Sequence, residues 1–320
     1  MAKVLIYGAG AIGSLMACLL SCGRGGQPED EIALLGRRSH IEAIQKSGLA
    51  FRSSEGQEIF RFRNCFFSSN QLRGSGFAPD LVLITVKTTG LAQVGEEIRS
   101  SGLLEGELKD SQFVLLMNGM GNVERLGLFG RKVFQGITST GVVLSGPGQI
   151  ELRGRGKTVI EVGLDEGISQ FMLRRFHENE FDLEFALDFR RHQWNKLFAN
   201  AVINPITALC GRRNGVVLSP HLKPTVRVVV KECVSVAEAE GIAFDPEEVL
   251  KSICSVASST RDNTSSMLQD IRSGRRTEID SINGYVICLA MKHGLEAPLN
   301  QTLCSLVWSL QERDQPGTEV

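Results

Sequence analysis

Val4-Leu5-Ile6-Tyr7-Gly8-Ala9-Gly10-Ala11-Ile12-Gly13 opens the chain and decides how the first half folds. Lys3 to Tyr7 is a short apolar run of strand type, and Ser14 to Leu20 continues as an apolar helix, so the glycines fall in the turn between them. This order of strand, glycine turn and helix is the entrance of a dinucleotide-binding unit. Gly8 permits the tight turn, Gly10 lets the backbone approach a pyrophosphate, and Gly13 lets helix and strand pack closely. The helix N-terminus then faces the phosphates. Gly8, Ala9, Gly10, Ala11, Ile12 and Gly13 are therefore the expected cofactor loop.

Beyond a polar, Gly-rich linker from Cys22 to Asp30, Glu31 to Gly36 has the pattern of a second parallel strand. Its end bears on cofactor choice. An NAD site places Asp or Glu there for the ribose 2'-hydroxyl, whereas Arg37 and Arg38 suit a 2'-phosphate, so NADP is expected. Gly48 to Phe67 alternates apolar and polar residues, as a strand pair turning at Glu55-Gly56 would. Asp80 to Val86 is a buried parallel-type strand that ends in Lys87, and Gln112 to Met117 repeats the pattern and ends in Asn118-Gly119-Met120-Gly121. Ligands of open α/β sheets sit beyond the carboxyl ends of strands, which puts Lys87 and Asn118 at the cofactor. Val133 to Val143 and Thr158 to Val162 are expected as further strands, joined through a turn at Gly146-Pro147-Gly148. Phe181 to Leu187 closes a first domain spanning 1–188.

From 189 to 320 helical patterns dominate: the opening stretch, Lys223 to Glu240, Pro246 to Ala257, the Ser265 region, Thr277 to His293, and a last segment to Leu310. Gly241 and Gly294 are expected as C-terminal stops and Pro246 as a first-turn residue. In the opening helix Lys196, Asn200 and Asn204 fall within roughly 80° of one another, over about 12 Å of axis. Leu197, Phe198, Ala201, Val202 and Leu209 form the opposite, apolar side. A solvated face would more often use Glu, Lys, Gln or Arg, so two mid-helix Asn at this spacing favour a role. Pro205 is expected to bend or end this helix just after Asn204. An α/β nucleotide domain followed by a helical one is expected to carry its active site in the cleft between them.

The 320 residues suffice for two cores, and 42% hydrophobic with 22% charged is ordinary for a globular protein. A formal net charge of -1 gives no electrostatic footprint of a nucleic-acid binder. Met1-Ala2-Lys3 leads straight into the first strand and no apolar run nears the roughly 20 residues that span a bilayer, so no membrane partner and a cytoplasmic location are expected. Cys18, Cys22, Cys65, Cys210, Cys233, Cys254, Cys288 and Cys304 sit singly, without a C-x-x-C pair or Cys/His cluster. Most are expected to be buried thiols, with neither a disulfide framework nor a structural zinc site.

Taken together, the motifs make the chain similar to the ketopantoate reductase (2-dehydropantoate 2-reductase) family over nearly its whole length. They are Gly8 to Gly13, Arg37, Val86-Lys87-Thr88, Asn118-Gly119-Met120-Gly121, Trp194-x-Lys196-Leu197-x-x-Asn200-x-x-x-Asn204-Pro205, and Ser266 to Ile271 leading to Thr277-Glu278-Ile279-Asp280. The resemblance implies an α/β Rossmann-type domain followed by an all-α domain like that of 6-phosphogluconate dehydrogenases. It implies NADPH-dependent reduction of 2-dehydropantoate to pantoate, on the way to pantothenate and coenzyme A. It assigns proton donation to Lys196 and substrate binding to Asn200, Asn204 and Asn214. It adds a substrate loop from Asn263 to Ser266 that includes Ser265, with Ser266 at the carboxylate. It places Asn118 at both nicotinamide and substrate, Glu278 beside cofactor and Lys196 as a second catalytic group, and Val142 at the cofactor. Two departures stand out: Gly90, where the family often has Gln, and the added charge of Arg38.

Hydride addition to a ketone leaves charge growing on its oxygen, and an ammonium can both stabilise and protonate it. Burial lowers the pKa of such a lysine and Glu278 raises it. On spacing alone Glu278 fits a surface helix charge and Ser266 a helix cap before Met267. Reduction of another 2-oxo acid is the first alternative, and a non-enzymatic NADP-binding sensor the second. A homodimer is compatible with the helical half.

Overall fold

In the computed structural model residues 2–21 and 28–312 are described; Cys22 and the first part of the expected linker lie outside them. The chain forms two compact units, Met1–Met117 with Asn122–Phe189, and Asn118–Gly121 with Arg190–Val320.

The first unit contains strands β1 (Val4–Tyr7), β2 (Pro28–Leu35), β3 (Leu49–Ser53), β4 (Gly56–Phe66), β5 (Leu81–Ile84), β6 (Gln112–Leu116), β7 (Val133–Thr138), β8 (Gly141–Gly146), β9 (Gln149–Gly154), β10 (Thr158–Glu161) and β11 (Leu183–Ala186). They line up as β11-β10-β7-β6-β5-β1-β2-β4-β3-β9-β8. The run β4-β2-β1-β5-β6-β7 is parallel throughout. Its chain order reverses between β1 and β5, the switch point at which doubly wound sheets bind ligands. Strands buried on both faces need apolar residues on both, and Val4, Leu5, Ile6 and Leu81 to Ile84 are fully buried.

Alternation along β1 divides the unit's core in two. Val4 and Ile6 face a cluster with Leu15, Met16 and Leu19 of α1 (Ala11–Leu20), while Leu5 and Tyr7 face one with Leu91, Val94 and Ile98. The remaining helices of this unit are α2 (Arg38–Ser47), α3 (Ser69–Leu72), α4 (Leu91–Ser100), α5 (Asn122–Leu126) and α6 (Glu166–Glu178). The expected single strand from Val133 to Val143 is in fact two. Thr140 breaks it: its hydroxyl donates to the Gly156 carbonyl at 2.8 Å and its N–H donates to Thr138 Oγ1 at 3.2 Å. The turn at Gly146-Pro147-Gly148 instead joins β8 to β9, a strand that the sequence reading left out.

His40 on α2 ties three elements together. Its Nδ1 accepts from the Gly148 N–H at 2.9 Å, so the proton sits on Nε2 and is donated to Ser14 Oγ on α1 at 3.0 Å. Burial pushes the His40 pKa below the usual 6.5. Below that value the unfolded chain takes up a proton that the folded chain resists, so this stability is present near neutral pH and is lost as pH falls. The thermal midpoint is expected to drop between about pH 7 and pH 5, and His40→Gln is expected to flatten that slope.

The second unit is built on α7 (Phe189–Cys210), α8 (Lys223–Ala239), α9 (Pro246–Ser259), α10 (Ser266–Arg272), α11 (Asn283–Lys292) and α12 (Pro298–Glu312) around one apolar cluster that includes Trp194, Phe198, Val229 and Ile253. Gly241 and Gly294 adopt φ of 86° and 67°. The Ile242 and Leu295 N–H groups then reach back to the Ala237 and Ala290 carbonyls, the bonds of a Schellman stop. The helix expected from Thr277 begins only at Asn283, because tertiary partners hold the preceding segment. The Thr277 N–H donates to Gln311 Oε1, Trp308 Nε1 donates to Asp280 Oδ1, and the Met120 N–H donates to the Ser281 carbonyl. That last bond belongs to Asn118–Gly121, which groups with the second unit although it follows β6 in the chain.

Candidate functional site

In the first unit the glycine turn has the geometry that the sequence demands. Gly8 has a φ of 105°, and its N–H donates to the Leu35 carbonyl while its own carbonyl accepts from Thr85 Oγ1 at 2.7 Å. A Cβ at Gly13 would lie 2.4 Å from both the Gly8 carbonyl oxygen and Thr85 Oγ1. At Gly10 a Cβ would meet nothing closer than the Gly8 oxygen at 3.9 Å. Gly8 and Gly13 thus serve the fold, and Gly10 leaves the turn bare on the side where a phosphate would approach. Gly10 is the N-cap of α1 and supplies no capping side chain, so the first-turn N–H groups of Ala11 and Ile12 are open to an anion. These features fit a dinucleotide.

Arg37 and Arg38 follow β2, and their surroundings separate them. The Arg38 guanidinium lies 4.0 Å from the Phe67 ring centroid and pairs with Glu42 at 3.5 Å. Arg37 is exposed, and its side chain makes no hydrogen bond or ion pair among the described residues. Lys87 is exposed just beyond β5 at the start of a short 3-10 turn that ends in Gly90. Val142 lies on β8 and packs against the cluster that contains α1.

In the second unit, α7 carries the polar stripe. Leu197, Phe198, Ala201 and Val202 are buried on its apolar side, anchored by the Trp194 and Phe198 rings at 5.6 Å and by Phe244 edge-on to Phe198 at 4.9 Å. Lys196 and Asn200 are half-buried and Asn204 is 6% exposed. The carboxamides of Asn200 and Asn204 have no hydrogen-bond partner among the described residues, and their polar atoms are not sealed off from solvent, so both are open to a ligand. The helix does not end at Pro205 but runs on to Cys210.

Burial pulls the Lys196 pKa down to about 8, with Glu278 acting in the opposite sense. At neutral pH the ammonium form still prevails by about ten to one. Glu278 is 8% exposed and accepts from Asn118 Nδ2 at 3.0 Å. It sits at the head of the 3-10 turn Ile279–Ser281, so it is not a surface helix charge. The glycines beside Asn118 admit this approach: a Cβ at Gly119 would lie 2.5 Å from the Ser281 carbonyl oxygen, and one at Gly121 would lie 2.6 Å from the Tyr285 ring. Lys196, Glu278 and Asn118 are thus linked through Glu278.

The loop before α10 departs from its expected details. Ser265, not Ser266, caps the helix, accepting from the Leu268 N–H at 3.2 Å. Ser265 is buried, and its hydroxyl is 2.6 Å from Thr207 Oγ1, which donates to the Asn204 carbonyl at 3.0 Å. Ser266 is left exposed at the first helical position. Asn214 is 9% exposed, its Nδ2 donates to Thr260 Oγ1, and its Oδ1 is buried without a partner. Its N–H holds the Asn263 carbonyl at 3.0 Å, while the Asn263 side chain is exposed. Thr207 escaped the sequence reading. Its signal is a hydroxyl three residues beyond Asn204, placed to bond back along the helix. Among the described residues, no group of three or more His, Cys, Asp or Glu could hold a metal ion, and no helix is long and apolar enough to cross a membrane.

Known proteins resemble this chain in sequence and in fold. A 2-dehydropantoate 2-reductase of Pyrococcus horikoshii is 36% identical over 311 residues, covering 95% of this chain and 96% of that one. The crystal structure of a PanE/ApbA family ketopantoate reductase from Ralstonia eutropha JMP134 superposes with a TM-score of 0.84 at 27% identity, over 97% of this chain and 99% of that one. D-mandelate dehydrogenase, solved with NADH and anilino(oxo)acetate, shares the fold at 24% identity, with a TM-score of 0.83 over 97% of this chain and 98% of that one. Residues 4–164 match the ketopantoate reductase PanE/ApbA family and residues 188–311 match its C-terminal domain, so the chain belongs to the ketopantoate reductase PanE/ApbA family.

Proposed function

We propose that the protein reduces 2-dehydropantoate to pantoate with NADPH, and that Lys196 delivers the proton. The observation that carries this reading is the pair of unpaired carboxamides, Asn200 and Asn204, on the same stripe of α7 as a lysine whose pKa is about 8. An ammonium of that pKa donates readily near neutral pH, where acid catalysts work best. NADPH, when bound, supplies the hydride.

The remaining residues have distinct tasks. Asn200, Asn204 and Asn214 bind the ketone and hydroxyl without adding charge, and Ser266, with Asn263 beside it, receives the carboxylate. The Ser265 hydroxyl is engaged in capping and with Thr207, so its part is to hold that loop. Glu278 keeps Lys196 charged and orients Asn118, whose amide meets both nicotinamide and substrate. In the first unit the turn from Gly8 to Gly13 takes the pyrophosphate, Lys87 and Val142 flank the cofactor, and Arg37 takes the 2'-phosphate.

The test of substrate is the loss of NADPH absorbance with ketopantoate set against a panel of other 2-oxo acids. Turnover is expected with ketopantoate at the highest kcat/KM; turnover only with other acids would reassign the substrate. Cofactor choice rests on Arg37. Arg37→Asp is expected to weaken NADPH by roughly 10-fold or more, the scale of a lost charge-assisted contact, and to leave NADH little changed. Glu278→Gln removes the charge that raises the Lys196 pKa, so the fall in kcat/KM with rising pH is expected to begin below pH 8.

A further inference from the structure

Pro205 lies inside α7 and has no N–H, so the carbonyl of Ala201, four residues back, loses its helical partner. A carbonyl at this depth, on a fully buried residue, needs another donor. Asn283, at the first position of α11 and fully buried, supplies it: Nδ2 donates to the Ala201 oxygen at 2.9 Å. The second N–H of the same amide donates to Asn300 Oδ1 at 2.9 Å. Asn300 Nδ2 in turn donates to Glu232 Oε2 at 2.7 Å, and Glu232 accepts the Leu299 and Asn300 N–H groups at the start of α12. This series fixes the Asn283 amide: a flip would aim its oxygen at two acceptors. Its Oδ1 is left buried and unpaired, so the side chain is held there by what its nitrogen does.

The consequence reaches the proposed site. Ala201 directly follows Asn200, and Pro205 directly follows Asn204. Asn283 also closes the segment that begins with Glu278, so one short stretch serves both Glu278 and the break in α7. We infer that Asn283 is a positioning residue: it replaces the hydrogen bond that Pro205 cannot make and thereby fixes the turn of α7 that presents Asn200 and Asn204 to the substrate. This rests on the reading of those two amides as substrate-binding.

Asn283→Leu keeps the branching at Cγ and removes the donor. It is expected to lower the thermal midpoint by roughly 4–8 °C and to raise KM for ketopantoate about 10-fold or more. The NADPH dissociation constant and kcat at saturation are expected to stay within about threefold, and the fall of kcat/KM near pH 8 to stay in place. Pro205→Ala returns an N–H to position 205. In that background Asn283→Leu is expected to cost clearly less in midpoint, the remainder being the donor that Asn300 Oδ1 still loses, and most of the KM loss is expected to be recovered, a rescue that a loss of packing alone does not give. Additive losses in the double variant, or an unchanged KM in Asn283→Leu, would overturn the inference. If Asn283→Leu alone does not fold, folding of the double variant supports it and failure of both overturns it. The midpoint cycle needs no substrate, so coupling of 205 to 283 in a protein that does not turn over ketopantoate would fault the proposed reaction and not the hydrogen-bond replacement.

Discussion

Lys196→Ala is expected to lower kcat/KM for ketopantoate reduction by roughly 10²- to 10⁴-fold, the usual worth of a positioned general acid. The size follows from where charge develops: the carbonyl carbon accepts hydride, the C=O π pair moves onto the oxygen as an alkoxide, and a fixed cation beside that oxygen acts mainly in the transition state. The NADPH dissociation constant is expected to stay within about twofold, since Arg37 and the glycine turn lie on other elements. Misfolding would not mimic this result. Burial disfavours the Lys196 ammonium, so its folded-state pKa of about 8 lies below the usual 10.5 and the folded state gains stability as pH rises from about 8 to 10.5. A neutral replacement such as Lys196→Met is therefore expected to unfold no earlier than the parent at pH 7, while losing turnover to the same degree. Unchanged turnover in Lys196→Ala would remove it from the mechanism.

The second large effect concerns the glycine turn, where three glycines do two different things. Gly13→Val is expected to abolish NADPH binding and to destabilise the first unit by more than about 3 kcal/mol. Its Cβ would sit 2.4 Å from a backbone oxygen and from Thr85 Oγ1, which itself holds the Gly8 carbonyl. Neither neighbour can withdraw without opening the junction of β1, α1 and β5. Gly10→Ala provides the contrast. Its Cβ enters open space, so the thermal midpoint is expected to move by little while NADPH affinity falls at least 10-fold, because the added methyl occupies the phosphate approach. Equal loss of stability in both variants, or tight NADPH binding by Gly10→Ala, would contradict this division of roles. Thermal denaturation and fluorescence titration with NADPH distinguish the outcomes.

The parallel strands were legible because each is an apolar run bounded by glycine or polar residues, and burial on both faces demands that pattern. The amphipathic opening of α7 was legible for a related reason: its two faces differ in composition over three turns. Local sequence failed where partners from elsewhere in the chain set the backbone. Residues 133–143 have strand composition throughout, yet the Thr140 hydroxyl bonds to Gly156 and redirects the chain. Thr277 to Ile282 has helical periodicity, but Gln311, Trp308 and Met120 claim its polar groups. Pro205 shows the same limit. A proline predicts a freed carbonyl at Ala201, and only the fold reveals that Asn283 satisfies it and lets the helix continue.

The candidate site divides in the same way. Lys196, Asn200 and Asn204 could be grouped by helical spacing alone. Asn118 could be placed at the cofactor from its strand end, whereas its substrate role, Glu278 and Ser266 entered through family resemblance, and the bond from Asn118 to Glu278 joins residues 160 positions apart. The cap at Ser265 and the Thr207 hydroxyl depend on side-chain direction, which spacing in the sequence does not carry.

The most direct measurement is the pH dependence of kcat/KM for NADPH oxidation by ketopantoate between about pH 6 and 10, in the parent protein and in Lys196→Ala. The expected result is a loss of activity through one ionisation near pH 8 in the parent, with the residual activity of Lys196→Ala lacking that limb. A limb near pH 8 that persists in Lys196→Ala would contradict the assignment, because another group would then hold the proton.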